Sequence, residues 1–235
     1  MPFFFLAALF SEIVGTIAGF GTSTLFLPLA LLFVDFKTAL VLVAFLHIFG
    51  NIARLKFFHR SLDMRLLLGF GLPSVLFTLI GALLVSIFPQ TTLQFVLGLF
   101  LILYSLFSFW HYKSRLRPTG FNLGLGGGLS GFLAGLIGTG GALRSAFLTA
   151  FGLSKEKYLA TSSAIVLAVD LTRLPVYLSQ GFLAKSYFPY VLLLLIVAFL
   201  GSYLGKLIVS RIAQPLFKKI ALLALLIMGV YLLNG

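Results

Sequence analysis

Cysteine is absent, which excludes disulfides, thiolate nucleophiles and cysteine-built metal sites. Charge is scarce: Asp, Glu, Lys and Arg make up 9% of the 235 residues, against 60% hydrophobic residues and a mean hydropathy of +1.15. No water-soluble domain of this size has that balance, whereas a polytopic helical membrane protein does. The apolar runs are long and continuous rather than alternating, which excludes a transmembrane barrel. No zinc-binding or Walker motif occurs, so nothing points to a metal, a cofactor or ATP-driven transport. The first residues, MPFFFLAALFSEIVG, lack a basic n-region and a small-residue cleavage site and are expected to belong to the mature protein.

What charge there is carries one sign. Seventeen Lys and Arg face five Asp and Glu, a net charge of +12. The basic residues fall in short clusters between apolar segments, as in loops that lie against anionic lipid, and not in the pattern of a nucleic-acid binder. The expected partners are therefore the lipid bilayer and a small substrate; a homodimer stays open.

Eight apolar segments can be marked, near 3–33, 38–55, 65–88, 92–111, 121–151, 159–180, 186–209 and 215–233. The first and fifth, as straight helices, would each run roughly 45 Å, longer than a bilayer core needs. Each carries a glycine-rich break, AGFGTST at 18–24 and GLIGTGG at 135–141. The halves also resemble each other. GTIAGFGTSTLFLP (15–28) lies over GFLAGLIGTGGALRS (131–145), Asn51 and Arg54 over Asp170 and Arg173, Gly81 over Gly201, and Pro89 over Pro215. The reading is two repeats, 1–113 and 121–235, joined by a basic linker at 114–120.

Loop charge orients the repeats. If all eight segments cross, the lysines and arginines of alternate loops divide almost evenly. If the first and fifth each enter and leave on one side, loops 54–65, 112–118, 152–158 and 210–219 hold twelve basic residues and the other three loops hold two. That is a strong positive-inside pattern and places those four loops in the cytoplasm. The expected fold is an all-α polytopic membrane protein with two inverted repeats. Each repeat has one re-entrant or broken helix pair (3–33, 121–151) plus three transmembrane helices. Eight plain crossings with weak bias are the alternative.

A re-entrant pair exposes backbone at membrane depth, which is tolerated only inside protein or beside a polar cavity. The helix that restarts after the break aims free N–H groups and the positive end of its dipole at the midplane. The restarts are Gly21, Thr22, Ser23 and Thr24 in the first half and Gly138, Thr139, Gly140 and Gly141 in the second. Glycine lets a ligand approach the backbone, and the hydroxyls can cap the helix or donate. Two such ends facing each other would bind an anion. Arg144, one turn into the second restart, suits an oxyanion, with pairing to Asp170 or snorkelling as structural alternatives. Asp170 and Arg173 share a helix face as a fixed ion pair or a proton carrier. Their first-half counterparts are Asn51 and Arg54. His47, one turn before Asn51, is either a core hydrogen-bonding residue or a group titrating near neutrality. Glu12 lies in the first half-helix at a depth the sequence does not fix. Pro28, Pro73, Pro175 and Pro189 are expected to kink or start helices, and Trp110 and Tyr112 to anchor at the interface beside Lys113.

Gly128-Leu129-Ser130-Gly131 has the look of an intramembrane serine protease motif. A serine nucleophile needs a base in reach, yet His47, His59 and His111 all precede Ser130 and none follows it. Close helix packing explains the motif better, and the chain is read as no enzyme.

At GTIAGFGTSTLFLP and at GFLAGLIGTGGALRSAFLTAFGLSKEKYLATSSAI (131–165) the sequence resembles the TauE/SafE sulfite-exporter family of membrane transporters. The second stretch is the more specific, with its glycine cluster followed by Gly152-Leu153 and Ala160-Thr161-Ser162. The resemblance implies a secondary-active exporter of sulfite, or of a related sulfur oxyanion or organosulfonate, in the cell inner (plasma) membrane. Alternating access would move one repeat against the other around a midplane site. An uncoupled anion channel or uniporter built from the same parts is the alternative. Ala142-Leu143-Arg144-Ser145 departs from the apolar stretch frequent in relatives, so the resemblance gives the class of anion rather than the anion.

Overall fold

A computed structural model describes residues 2–18, 21–58, 61–110, 115–208 and 214–234. His59, Arg60, His111, Tyr112, Lys113 and Arg211 lie outside them. The described chain is helical: α1 (Pro2–Ala18), α2 (Thr22–Ala30), α3 (Phe36–Phe58), α4 (Met64–Leu84), α5 (Gln90–Trp110), α6 (Gly120–Ile137), α7 (Gly141–Ala150), α8 (Lys155–Ser179), α9 (Phe188–Ile208) and α10 (Gln214–Asn234). A single 3₁₀ turn, Lys185–Tyr187, leads into α9. No strand occurs among the described residues.

Local chemistry sets several boundaries. Asp63 caps α4 by accepting from the Leu66 N–H at 3.1 Å, and Thr119 caps α6 from Asn122 N–H at 3.3 Å. Ser154 caps α8. Pro28, Pro73 and Pro175 fall inside α2, α4 and α8, while Pro189 is the second residue of α9. Trp110 ends α5 with its ring exposed.

Among the described residues six helices are long and apolar enough to span a bilayer: α3, α4, α5, α6, α8 and the 3₁₀ turn with α9. Of these α3 is the most enclosed and α9 the least, so α9 turns an apolar face outward to lipid. The protein is a multi-pass membrane protein.

The two interrupted segments fold back on themselves. Phe4, near the start of α1, packs edge-on against Phe26 of α2 and Phe33 just beyond it, at centroid distances of 5.3 and 6.1 Å. In the second segment Leu116 N–H, ahead of α6, donates to Ala150 O at the end of α7 at 2.9 Å. Each segment therefore begins and ends at one end of the molecule.

The loops gather accordingly. At one end Phe36 N–H donates to Gln90 Oε1 (2.9 Å) and the Lys37 ammonium lies 5.1 Å from the Phe182 ring centre. At the other end Lys157 Nζ lies 3.1 Å from Asp63 Oδ2, and Asp63 N–H donates to Thr161 Oγ1 at 3.0 Å.

Helix pairs match between the halves. α4 lies along α6 and α1 along α9; α4 also meets α8 and α3 meets α9; α3 pairs with α8 and α5 with α10. Small residues make the closest of these contacts. A Cβ on Gly127, Gly131 or Gly135 of α6 would run into the carbonyl oxygens of Phe70, Ser74 and Thr78 on α4. Ser74 and Thr78 donate back across the seam to Gly127 O (3.1 Å) and Gly131 O (2.9 Å). Gly128-Leu129-Ser130-Gly131 belongs to this seam, with Ser130 Oγ donating to Gly127 O of its own helix at 3.2 Å.

Candidate functional site

Both helix breaks reach the interior, where α2 meets α7. Gly21 ends the first break at φ +90°, and Gly138 opens the second at φ +73°, conformations that favour glycine. The residues that precede the two restarts, Gly21 and Gly140, supply no side-chain cap, so the first N–H groups of α2 and α7 must find acceptors elsewhere. The two N-termini touch: a Cβ on Gly21 would lie 3.4 Å from Gly141 Cα. A band of hydroxyls joins them, with Thr139 Oγ1 3.3 Å from Ser23 Oγ and 3.0 Å from Thr24 Oγ1.

Two ion pairs flank the junction. On one side Arg54 of α3 pairs with Glu12 of α1, both buried. Arg54 also donates to Thr22 Oγ1 (3.0 Å), Thr16 Oγ1 (3.2 Å) and Asn51 Oδ1 (2.9 Å). Glu12 accepts further bonds from Thr22 Oγ1 (2.7 Å) and Ser202 Oγ of α9 (2.8 Å). The Thr22 hydroxyl thus ties the first turn of α2 to α1 and α3.

On the other side Arg173 of α8 donates from Nε and Nη2 to Asp170 Oδ1, at 2.8 and 2.7 Å. Its Nη1 donates to Ala134 O near the end of α6 at 2.7 Å. Tyr177, one turn on, donates to Gly135 O. Carbonyls freed by the end of α6 are satisfied in this way.

His47 of α3 bridges the two sides. Ser23 N–H of α2 donates to His47 Nε2 at 2.6 Å, while Nδ1 lies 3.2 Å from Asp170 Oδ2. The contact to Oδ2 is within ion-pair distance, and Oδ2 has no other hydrogen-bond partner.

Arg144, in the first turn of α7, is buried, which removes snorkelling. Asp170, read as its alternative partner, is paired with Arg173 and approached by His47. Arg144 Nε donates instead to Ser162 Oγ of α8 at 3.0 Å, and no carboxylate among the described residues lies within ion-pair distance of it. Its Nη2 lies 3.4 Å from where a Gly21 Cβ would sit. A cavity opens here, lined by His47, Asn51, Arg54, Arg144, Ser162 and Ser163, and a second, sharing His47 and Arg144, continues past Ser23, Gly138, Gly140 and Gly141 to Asp170 and Arg173.

All fourteen residues singled out in the sequence line or adjoin this junction. Glu12, Thr16, Ser162, Tyr177 and Ser202 also belong to it and were not singled out as site residues. The signal for Glu12 was its counterpart's absence: Asp170 stands three residues before Arg173, but Asn51 stands there before Arg54, so Arg54 needs an acid from elsewhere. Among the described residues no group of three or more His, Asp or Glu could hold a metal ion.

Among the described residues the buried Arg, Asp, Glu and His side chains are Arg54, Arg144, Arg173, Glu12, Asp170 and His47. His47 accepts at Nε2, so its proton is on Nδ1 and the ring is neutral. Among the described residues, the buried Arg144 guanidinium has no carboxylate within ion-pair distance and sits beside two helix N-termini.

The family model described as Sulfite exporter TauE/SafE matches residues 4–232. The chain belongs to that family, whose members are membrane transporters of sulfite and related anions. No individual curated protein and no solved structure matches.

Proposed function

We propose that the chain exports a small oxyanion, sulfite or a related sulfur oxyanion or organosulfonate, through the site between α2 and α7. One observation carries this reading: Arg144 is buried, with no carboxylate among the described residues within ion-pair distance, where the N-termini of α2 and α7 meet. A buried unpaired cation is costly, and an anion bound by its fork and by the first-turn N–H groups would offset that cost. The anion would be held by Arg144 and by the backbone of Gly21 to Thr24 and Gly138 to Gly141. The ion pairs Glu12–Arg54 and Asp170–Arg173 would fix the helices around it.

The moving parts are the two halves, read as inverted repeats of a re-entrant pair plus three crossings. The matched helix pairs support a two-fold relation, and the folding back of α2 and α7 supports re-entry. Asp63 and Lys157 meet at one end, which supports placing loops 54–65 and 152–158 on one side, with 112–118 and 210–219, as the charge count requires. By the positive-inside rule that side is the cytoplasm of a cell inner membrane. An anion leaving a negative-inside cell is driven outward by about 2.3 kcal/mol per charge per 100 mV, so export needs no obligatory coupling ion.

The test is sulfite flux from proteoliposomes at imposed potentials, wild type beside Arg144→Ala. Saturable, potential-driven flux that collapses in the variant is the expected result. Flux that never saturates and runs at channel rates would replace the exporter by an uncoupled channel at the same site. Absence of flux for sulfite, sulfate and sulfonates from folded protein would remove the reading.

A further inference from the structure

We propose that His47 is a proton-binding site linked to anion binding: protonation of Nε2 releases the Ser23 N–H to the anion, and the anion in turn holds the proton on His47. This rests on the anion site proposed above.

The geometry is specific. The Ser23 N–H is one of the first-turn donors of α2, which a helix leaves unsatisfied. Here the acceptor is the Nε2 lone pair of His47, reaching across from α3 at 2.6 Å. The imidazole therefore does for α2 what an anion at that N-terminus would do. Anion and lone pair compete for one donor. When Nε2 takes a proton from water it becomes a donor itself and can no longer accept from Ser23. The Ser23 N–H is freed beside the cavity it lines, and a second N–H joins it. No covalent bond changes apart from the new N–H.

The groups around His47 favour this exchange only when an anion is present. On α8, Asp170 Oδ2 stands 3.2 Å from Nδ1 with no other hydrogen-bond partner, placed to hold an imidazolium, while Arg173 opposes that charge. Arg54 on α3, paired with Glu12 of α1, lines the same cavity system, as does Tyr158 of α8. Arg144 on α7 is the remaining positive charge. A protonated His47 adds positive charge beside it, on a carboxylate already shared with Arg173, which is unfavourable in the empty site and favourable around an anion. The coupling is reciprocal: protonation tightens the anion and the anion tightens the proton.

The test uses full-length protein in detergent, in weak buffer, with methanesulfonate as the probe because it does not titrate near neutrality. Wild type is expected to bind it more tightly as pH falls from about 8 to 6, by up to about tenfold per unit for a single linked proton, and to take up protons on binding. His47→Gln keeps an oxygen able to accept from Ser23 and should bind with no pH slope and no proton uptake. Binding by wild type that is independent of pH, or uptake unchanged in His47→Gln, overturns the proton site and leaves the anion site standing. Wild type that binds neither methanesulfonate nor sulfite at any pH overturns both.

Discussion

Arg54 on α3 donates to Glu12 on α1, so the first half neutralises its buried arginine across helices, whereas Arg173 takes its carboxylate from Asp170 one turn back on α8. The difference matters for stability. Glu12 is reached by Arg54, Thr22 and Ser202, from α3, α2 and α9, so it holds four helices together. Glu12→Gln leaves a buried guanidinium without its anion and should cost about 3–5 kcal/mol, the range for breaking one side of a buried pair. Pairing Glu12→Gln with Arg54→Met removes both charges and should recover much of it. Thermal unfolding in detergent with the four-protein cycle checks this; single and double variants equally destabilised would refute the pairing.

The α4–α6 seam makes a sharper packing prediction. Gly131→Ala pushes a Cβ into the Ser74 carbonyl, and the backbone of α4 must move, at about 1–3 kcal/mol for overpacking. Gly124→Ala, seven residues earlier on the same helix, meets nothing within 4 Å. It should be neutral or stabilising by about 0.5–1 kcal/mol through helix propensity. Midpoints of thermal unfolding for the two variants side by side provide the check. Equal effects would mean the seam is looser than the contacts indicate.

How far the site was legible depended on sequence distance. The Asp170–Arg173 pair was readable because i, i+3 spacing puts two residues on one helix face. The breaks were readable because glycine clusters stand out in thirty apolar residues. Glu12 was not, since its partner lies 42 positions away and only the fold brings α1 to α3. Nor was the engagement of Thr22, Ser23 and Thr24: local chemistry says that hydroxyls at a helix start can cap or donate, and tertiary contacts decide that Thr22 meets Glu12 while Thr24 meets Thr139. Bridging by His47 was half legible, as a residue able to titrate but without its two neighbours.

Stability should depend on pH through Asp63, in the connection between α3 and α4. The Leu66 N–H, and beyond it the Lys157 ammonium, hold its carboxyl below the usual carboxylate range against a smaller opposing effect of partial burial. A folded-state value below the unfolded one, about 3.9, gives stability that is present above that value and lost as pH falls through the folded value. Asp63→Asn should therefore lower the unfolding midpoint near neutrality and flatten its decline below about pH 4. The cap accounts for about 0.5–2 kcal/mol of this, and the half-exposed Lys157 adds little. Unfolding midpoints of both proteins between neutral and acidic pH test the sign.

The arrangement of the chain in the membrane can be read from labelling, and the absence of cysteine makes the native sequence the background for it. Arg117 precedes α6 and Ser154 follows α7; both are exposed. Folding back of α7 puts them on one side, and their loops are among the basic ones, so Arg117→Cys and Ser154→Cys should react with an impermeant maleimide only from the cytoplasmic face. Ser86 and Ser186, exposed in loops of little charge, should react as cysteines only from the outer face. Eight plain crossings give a different pattern, with Arg117 and Ser154 on opposite faces and Ser86 and Ser186 likewise. Reaction of the first pair from opposite sides would remove re-entry and the inverted repeats together. The anion site would lose its geometry with them, because only a chain that turns back at Gly138 aims the start of α7 at the start of α2.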